Sequence, residues 1–455
     1  MGKRPHVVVV PYPAQGHVKP LMKLAYRLAD YGIKVTFFIT KSTHDKISDS
    51  WKEEGEESRI TLASVPDLPE DFEDADGFLS WLDRFRILMQ CFLKELIQRI
   101  DESQDGEKVR FVIGDATLGW ILEVPREMGI RHAAVWPGGP GSLVLLHHIP
   151  KLIEAGIIDM DGATLKTEPV RLSEEIPPWS TNEFAWSCPH QPELQSASFK
   201  VCQTIKQAAD LPSWLLCNTF HELHPEISRF IPNMLPVGPL LTTDHPKHCN
   251  GSLKREDHSC SSWLDEMPLC SVVYVSFGSI ANFTKQQFDE LALGLELARR
   301  PFLWVVRPDS VTNNSAAQYP DGFKQRVASF GKIVEWAPQE NVLAHPSIAC
   351  FFTHCGWNST MEGVCAGLPF LCWPYFTDQF NNRNLICDSW KVGLKLNQDQ
   401  QEISRHEIKT KIEKLLTDKE IKENALKLQE MALKSLCEGG SSSKNLETFV
   451  KHVKG

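Results

Sequence analysis

Short apolar runs recur along the chain, and each is followed by a longer stretch with helical spacing of its apolar residues. Six such runs lie in the first half, at 6–10, 34–39, 60–65, 110–114, 132–136 and 214–218. Six more lie in the second half, at 271–277, 302–307, 332–335, 349–353, 369–373 and 392–396. Continuous apolar runs of this length read as strands buried on both faces. Strands that alternate with helices imply parallel sheets with helices on either side. Two such series imply two doubly wound α/β domains, as a chain of 455 residues requires. Pro236-Val-Gly-Pro-Leu-Leu-Thr-Thr-Asp-His-Pro and the polar stretch after it read as the join. The expected organisation is a first domain over 1–243, a linker over 244–259 and a second domain over 260–438. Gly439-Gly-Ser-Ser-Ser then breaks the chain before a last helix, within 439–455.

Chemistry concentrates between residues 336 and 379, at the ends of predicted strands. After the run 349–353 come His354, Gly356, Asn358 and Ser359, and then a helix, with Asn358 or Ser359 as its expected N-cap. Unpaired N–H groups and the positive end of the helix dipole favour a phosphate there. His354, Asn358 and Ser359 add side-chain donors. Glu362, one turn along, suits a ribose hydroxyl. Trp336 follows 332–335 and offers an aromatic face to a base. Asp378 and Gln379 follow 369–373 and offer polar groups to a sugar. Together these describe a nucleotide-sugar site. From spacing alone, Trp336, Trp357 and Trp373 also fit core positions, and Asp378–Gln379 also fits a plain helix start.

The segment Trp336-Ala-Pro-Gln-Glu-Asn-Val-Leu-Ala-His-Pro, Phe-Phe-Thr-His354-Cys-Gly-Trp-Asn-Ser-Thr-Met-Glu362-Gly and Leu-Pro-Phe-Leu-Cys-Trp-Pro-Tyr-Phe-Thr-Asp378-Gln379 resembles, without a gap, the signature box of plant family 1 UDP-dependent glycosyltransferases. Ser271-Val-Val-Tyr-Val-Ser-Phe-Gly-Ser279, Phe302-Leu-Trp-Val-Val-Arg307 and Pro11-Tyr-Pro-Ala-Gln-Gly-His17 resemble other segments of the family. The likeness is strongest over 262–396 and weakest over 40–110 and 160–205. It implies the GT-B fold, in which two Rossmann-like domains face a central cleft. The first would bind the acceptor and the second the UDP-sugar, and the last helix would return to the first. It assigns donor contacts to Ser279, Trp336, Ala337, Gln339, His354, Gly356, Trp357, Asn358, Ser359, Glu362, Asp378 and Gln379. Trp357 with a terminal Gln379 is the pattern associated with UDP-glucose, and histidine at the last position occurs in galactose-using relatives.

His17 follows the first strand and precedes an amphipathic helix expected from about residue 20 to 28. A helix N-terminus disfavours imidazolium, which suits a general base. Asp115, at the end of 110–114, would meet the same crevice and orient the ring. By spacing alone a capping histidine and a solvated aspartate fit as well. The resemblance makes His17 the base that deprotonates the acceptor and Asp115 its support. Trp81, Phe85, Met89, Trp120 and Phe184 are candidates to line the acceptor site, with core packing the equal alternative. One departure stands out: family members often follow the strand 132–136 with Trp-Thr or Trp-Ser, whereas here Trp136 precedes Pro137-Gly138-Gly139. Proline brings no hydroxyl and no N–H, so the loop is expected stiff at 137 and loose at 138 and 139.

Bulk properties narrow the partners. A formal net charge of −10 argues against a nucleic-acid partner. The 13 scattered cysteines, several in apolar runs, read as reduced thiols and point to the cytosol. No run reaches a membrane span or a signal-peptide core. Neither a GxGxxG nor a P-loop lysine motif is present. Asp74-Ala-Asp76 and Asp159-Met-Asp161 have metal-nucleotide spacing but lie in polar loops, and His245, His248, Cys249, His258 and Cys260 fit no zinc pattern. Neither a metal nor a further cofactor is expected, and a monomer is. The reading is thus an inverting, metal-independent hexosyltransferase of plant secondary metabolism. It would move glucose from UDP-glucose to a small hydrophobic acceptor, a flavonoid or other phenolic, as a β-glucoside. C-glycosylation, glucose-ester formation and a catalytically silent nucleotide-sugar binder remain alternatives. A nicotinamide oxidoreductase is disfavoured by the missing glycine motif.

Overall fold

The computed structural model describes residues 5–54, 60–69, 75–103, 107–174, 176–188, 192–210, 214–241, 259–308, 310, 318–397 and 403–455. The chain divides into two compact units, Met1–Leu253 with Ser435–Gly455, and Lys254–Lys434. Apart from Ser259, the linker expected at 244–259 lies outside the described residues, as does Asp74.

The first unit holds β1 (His6–Val10), β2 (Lys34–Thr40), β3 (Ile60–Val65), β4 (Val109–Asp115), β5 (Arg131–Trp136), β6 (Leu215–Cys217) and β7 (Met234–Pro236). All pairs are parallel, in the order β3-β2-β1-β4-β5-β6-β7. Side-chain alternation divides β1 between the two faces. Val8 and Val10 join one core, Val7 and Val9 the other. The last helix, Ser441–Lys454, closes the second of these cores with Leu446, Phe449, Val450 and Val453. That spacing is one face of a helix. Phe449 meets Phe111 edge-on at 5.4 Å, and Arg131 donates to the carbonyls of His452 and Val453 at the helix end. Full burial of such a phenylalanine stabilises by about 1.5–3 kcal/mol. The sequence reading missed β7, a three-residue strand next to prolines. It pairs with β6 alone, at the sheet edge where proline is tolerated.

The second unit holds β8 (Val272–Ser276), β9 (Phe302–Val305), β10 (Gly331–Val334), β11 (Ile348–Thr353), β12 (Phe370–Cys372) and β13 (Gly393–Lys395). They are again all parallel, in the order β10-β9-β8-β11-β12-β13. Trp373, 1% exposed, packs against Phe277, Phe283 and Phe352, so it is the core residue that the sequence reading took it to be.

Each sheet reverses its strand order once, between β1 and β4 and between β8 and β11. Loops beyond the carboxyl ends of the strands diverge at such a point and leave a crevice. His17 and Asp115 stand at the first reversal, and Ser279 and His354 stand at the second.

Candidate active site

The helix after β1 runs from Gln15 to Asp30, five residues earlier than the sequence implied. Pro20 suggested a helix start, because proline favours the first turn. It lies instead just inside the second turn. His17 therefore sits in the first turn rather than ahead of the helix. Asp115 closes β4 and is fully buried. Its Oδ2 accepts from His17 Nδ1 at 2.8 Å and from the Tyr12 backbone N–H at 3.3 Å, and its Oδ1 accepts from the Thr117 N–H at 2.9 Å. With Nδ1–H given to the carboxylate, Nε2 is the basic nitrogen of the ring. His17 keeps 27% of its side chain exposed. A half-buried imidazole oriented by a buried carboxylate can take a proton from a hydroxyl and hold the charge that results.

All five apolar candidates lie in or against one hydrophobic cluster of the same unit. Trp81 stacks on Phe85 at 5.1 Å, Phe85 meets Trp120 edge-on at 6.1 Å, and Met89 is in the same cluster. Trp81, Phe85 and Met89 are buried, and Trp120 is half-buried. Phe184 is 1% exposed and packs on Trp186 at 4.9 Å. The loop after Trp136 is not loose. The indole N–H donates to Gly139 O at 2.9 Å, folding the ring back over Gly138, where a Cβ would come within 3.0 Å of it. Gly139 then caps the helix Pro140–His147, and Ser142 Oγ returns a bond to its carbonyl. The flexibility expected at 138 and 139 is thus used for a close approach.

In the second unit the helix after β11 spans Trp357–Cys365, with Gly356 as its N-cap. Neither Asn358 nor Ser359 caps it. Cys355 adopts φ +66°, which turns the chain sharply enough to start the helix two residues earlier than an Asn358 cap allows. Asn358 and Ser359 fall in the first turn instead. His354 lies between two glycines. A Cβ on Gly278 would stand 2.6 Å from its Nε2, and one on Gly356 would stand 2.5 Å from it. Gly278 also has φ +70°, so no other residue serves there without strain. Burial pushes the His354 pKa down to about 4. A backbone hydrogen bond to Ser276 opposes the shift, and the charge of Arg307 adds to it. The ring is therefore neutral at pH 7, although part of its surface reaches solvent.

Hydrogen bonds join the remaining box residues. Gln339 follows Trp336 and Ala337 after β10. Its Nε2 donates to Ser359 Oγ at 2.8 Å and to Glu362 Oε2 at 2.7 Å. Tyr274 OH donates to Gln339 Oε1 at 3.2 Å and so fixes which way the amide faces. Trp336 is half-buried, whereas Ala337, Trp357 and Glu362 are buried. The Trp357 and Trp390 rings lie 6.3 Å apart. Gln379 is buried, and its Oε1 accepts from the Tyr375 and Phe376 N–H groups at 2.8 and 3.3 Å. Asn382 Nδ2 ties Asp378 Oδ2 at 3.1 Å to Cys355 O at 2.9 Å. Sequence reasoning missed Tyr274, Arg307 and Asn382. Tyr274 and Arg307 are buried polar side chains in or beside an apolar strand, the one sign it could have used, whereas Asn382 sits in the polar helix Gln379–Asn384 and gives no such sign.

Of the other polar candidates within the described residues, Asp76 falls in the helix Ala75–Asp101 rather than in a loop, and Asp159 and Asp161 share a turn. Asp159 Oδ1 accepts from the N–H groups of Asp161 and Ala163, as a turn-forming aspartate does. Among the described residues, no three His, Cys, Asp or Glu side chains gather as a metal would need. Twelve described cysteines are free thiols. No helix among the described residues is long and apolar enough to cross a membrane.

Comparison with known proteins bears on the family and the fold. The family described as UDP-glucoronosyl and UDP-glucosyl transferase matches residues 192–434, and a glycosyltransferase N-terminal domain matches residues 5–55. UDP-glycosyltransferase 83A1 of Arabidopsis thaliana is 39% identical, over 99% of this chain and 97% of its own. Linamarin synthase 1 of Manihot esculenta is 32% identical, over 99% and 97%. A solved UDP-glucosyltransferase of Polygonum tinctorium, capable of glucosylating indoxyl, superposes with TM-score 0.83 at 27% identity, over all of both chains. The two parallel sheets are those of the GT-B fold, and the chain belongs to the UDP-glycosyltransferase family of enzymes.

Proposed function

We propose that the chain transfers glucose from UDP-glucose to a hydroxyl of a small hydrophobic plant metabolite, a flavonoid or other phenolic. The transfer inverts the anomeric centre, needs no metal ion, takes place in the cytosol and gives a β-glucoside. The observation that carries this reading is the 2.8 Å bond between His17 Nδ1 and the buried Asp115 carboxylate. His17 Nε2 takes the acceptor proton, the acceptor oxygen bonds to the anomeric carbon, and the bond from that carbon to the diphosphate oxygen breaks. Asp115 stabilises the imidazolium. UDP leaves with the bonding electrons, and its charge is met by donors at Ser279, His354, Asn358 and Ser359 and by the start of the helix Trp357–Cys365. Trp336 is assigned to the base, Glu362 to the ribose, and Asp378 and Gln379 to the hexose. The cluster of Trp81, Phe85, Met89 and Trp120 supports a hydrophobic acceptor.

The test combines a panel of phenolic, terpenoid and carboxylate acceptors with UDP-glucose, read by mass spectrometry, with the variant His17→Ala. Loss of a general base costs about 10²–10⁴ in rate. The variant is expected to lose that much while binding UDP as before. Near-full activity of the variant on a weakly acidic hydroxyl would overturn the assignment of His17.

A further inference from the structure

Arg307 lies just beyond β9 and is 3% exposed. Its Nη1 donates to the carbonyl of Gly278 at 2.8 Å, and its Nη2 donates to the carbonyl of Ala281 at 2.8 Å and to Asn282 Oδ1 at 2.9 Å. One guanidinium thus gathers three acceptors of the turn that follows β8. The same two segments are tied a second time, because Ser310 N–H and Oγ donate to Arg307 O while Phe283 N–H donates to Ser310 O. In a planar trans peptide the carbonyl and the following N–H point in opposite directions. Fixing the Gly278 carbonyl on Arg307 therefore turns the Ser279 N–H away from Arg307. The Gly278 Cα lies against the His354 ring, with no room for a Cβ between them.

We propose that Arg307 is the positioning residue for the donor's diphosphate. It binds the back of the 278–282 turn, so that the Ser279 amide is set as an anion donor, and it supplies a fixed positive charge behind that amide. The proposal rests on the donor-site reading above. A planar fork can hold three acceptors in a fixed arrangement, whereas an ammonium cannot. Such donors act without reorganising when the negative charge arrives. The Arg307 charge also acts on His354 in the direction that keeps its ring neutral.

Titration calorimetry of the full chain with UDP, UMP and uridine tests this, using wild type, Arg307→Gln and Arg307→Lys. A bond to a charged group of this kind corresponds to roughly a 10- to 100-fold effect. Arg307→Gln is expected to weaken UDP by that factor and to leave uridine unchanged, with UMP between them. Arg307→Lys keeps the charge but not the fork, so it is expected to lose part of the UDP affinity, again with uridine unchanged. If Arg307→Gln does not fold, the lysine variant carries the test alone. UDP and uridine weakened by one common factor, or UDP unaffected in a folded variant, overturns the proposal and leaves the donor site standing. A wild-type chain that binds no UDP overturns the donor-site reading, and the proposal with it.

Discussion

Replacing Asp115 by asparagine puts the proposed base to its most direct test, because the surroundings leave the amide no good orientation. The Thr117 N–H needs an acceptor at the Oδ1 position, and both the Tyr12 N–H and His17 Nδ1–H need one at Oδ2. If the amide oxygen stays with Thr117, its NH₂ faces His17 and Tyr12. The imidazole must then accept at Nδ1 and carry its proton on Nε2, where it can no longer act as a base. If the amide turns over, the histidine tautomer survives but the Thr117 N–H is left facing a donor. A buried donor without a partner costs about 1–3 kcal/mol. The first orientation leaves one mismatched backbone bond, the 3.3 Å contact from Tyr12, which is the longer of the two. It should therefore prevail. Transfer to a weakly acidic phenol is expected to fall by about 10²–10⁴, with UDP affinity unchanged. The decisive arm uses an acidic nitrophenol that is already ionised at the assay pH and needs no base. The loss should be much smaller for that acceptor. Equal loss on both acceptors would refute the tautomer argument, and Asp115 would then be a structural residue.

Three further outcomes follow from the second unit. Transfer should survive excess EDTA, because helix-terminal and side-chain donors are proposed to meet the diphosphate; activity lost to EDTA and restored by Mg²⁺ or Mn²⁺ would contradict it. The lowered pKa of His354, to about 4, means that between about pH 4 and 6.5 the unfolded chain binds more protons there than the fold does. Stability therefore rises with pH across that window, and His354→Gln should show a shallower acid-side slope in denaturant titrations; an unchanged slope would show that the ring is not held neutral. Because Gln379 Oε1 is engaged by two backbone N–H groups, its NH₂ is the part left for a sugar hydroxyl. Wild type is expected to prefer UDP-glucose to UDP-galactose, and Gln379→His to shift the ratio towards galactose; competition assays showing no shift would remove Gln379 from donor selection.

The sheets were legible because every strand but β7 is an apolar run bounded by turn residues. Buried parallel strands leave that pattern with no help from tertiary context. The residues proposed to hold the donor stood out for a related reason, since all but Ser279 fall within one 44-residue segment, at the ends of strands. The N-cap at Gly356 was not. An Asn and a Ser near a helix start point to a side-chain cap, and nothing local reveals the left-handed Cys355 that starts the helix earlier. Arg307 was hidden for a different reason. Its three acceptors lie 25 to 29 residues away in sequence, so its role comes from the pairing of β8 with β9 and not from its own neighbours. The apolar candidates show the limit most clearly. Trp81, Phe85 and Met89 keep helical spacing, and core and binding surfaces impose that same pattern. A side chain that both closes a core and presents an edge to a ligand leaves no separate mark.

The neutrality of His354 has a consequence for turnover. A charged imidazolium between Gly278 and Gly356 would bind a diphosphate by charge-assisted hydrogen bonds, about twice as strong as neutral ones. It would do so for the bound donor and for released UDP alike, and uniform tightening of that kind slows product release without helping the chemical step. The fold puts its positive charge elsewhere. Arg307 lies behind the turn with its fork occupied by the carbonyls of Gly278 and Ala281 and by Asn282 Oδ1, and the helix Trp357–Cys365 contributes the partial charge of its first turn. Both are fixed before the donor arrives. On the proposed reading, their effect grows as charge develops on the departing oxygen. On the same reading the His354 ring adds no charge of its own at pH 7, where burial leaves it neutral.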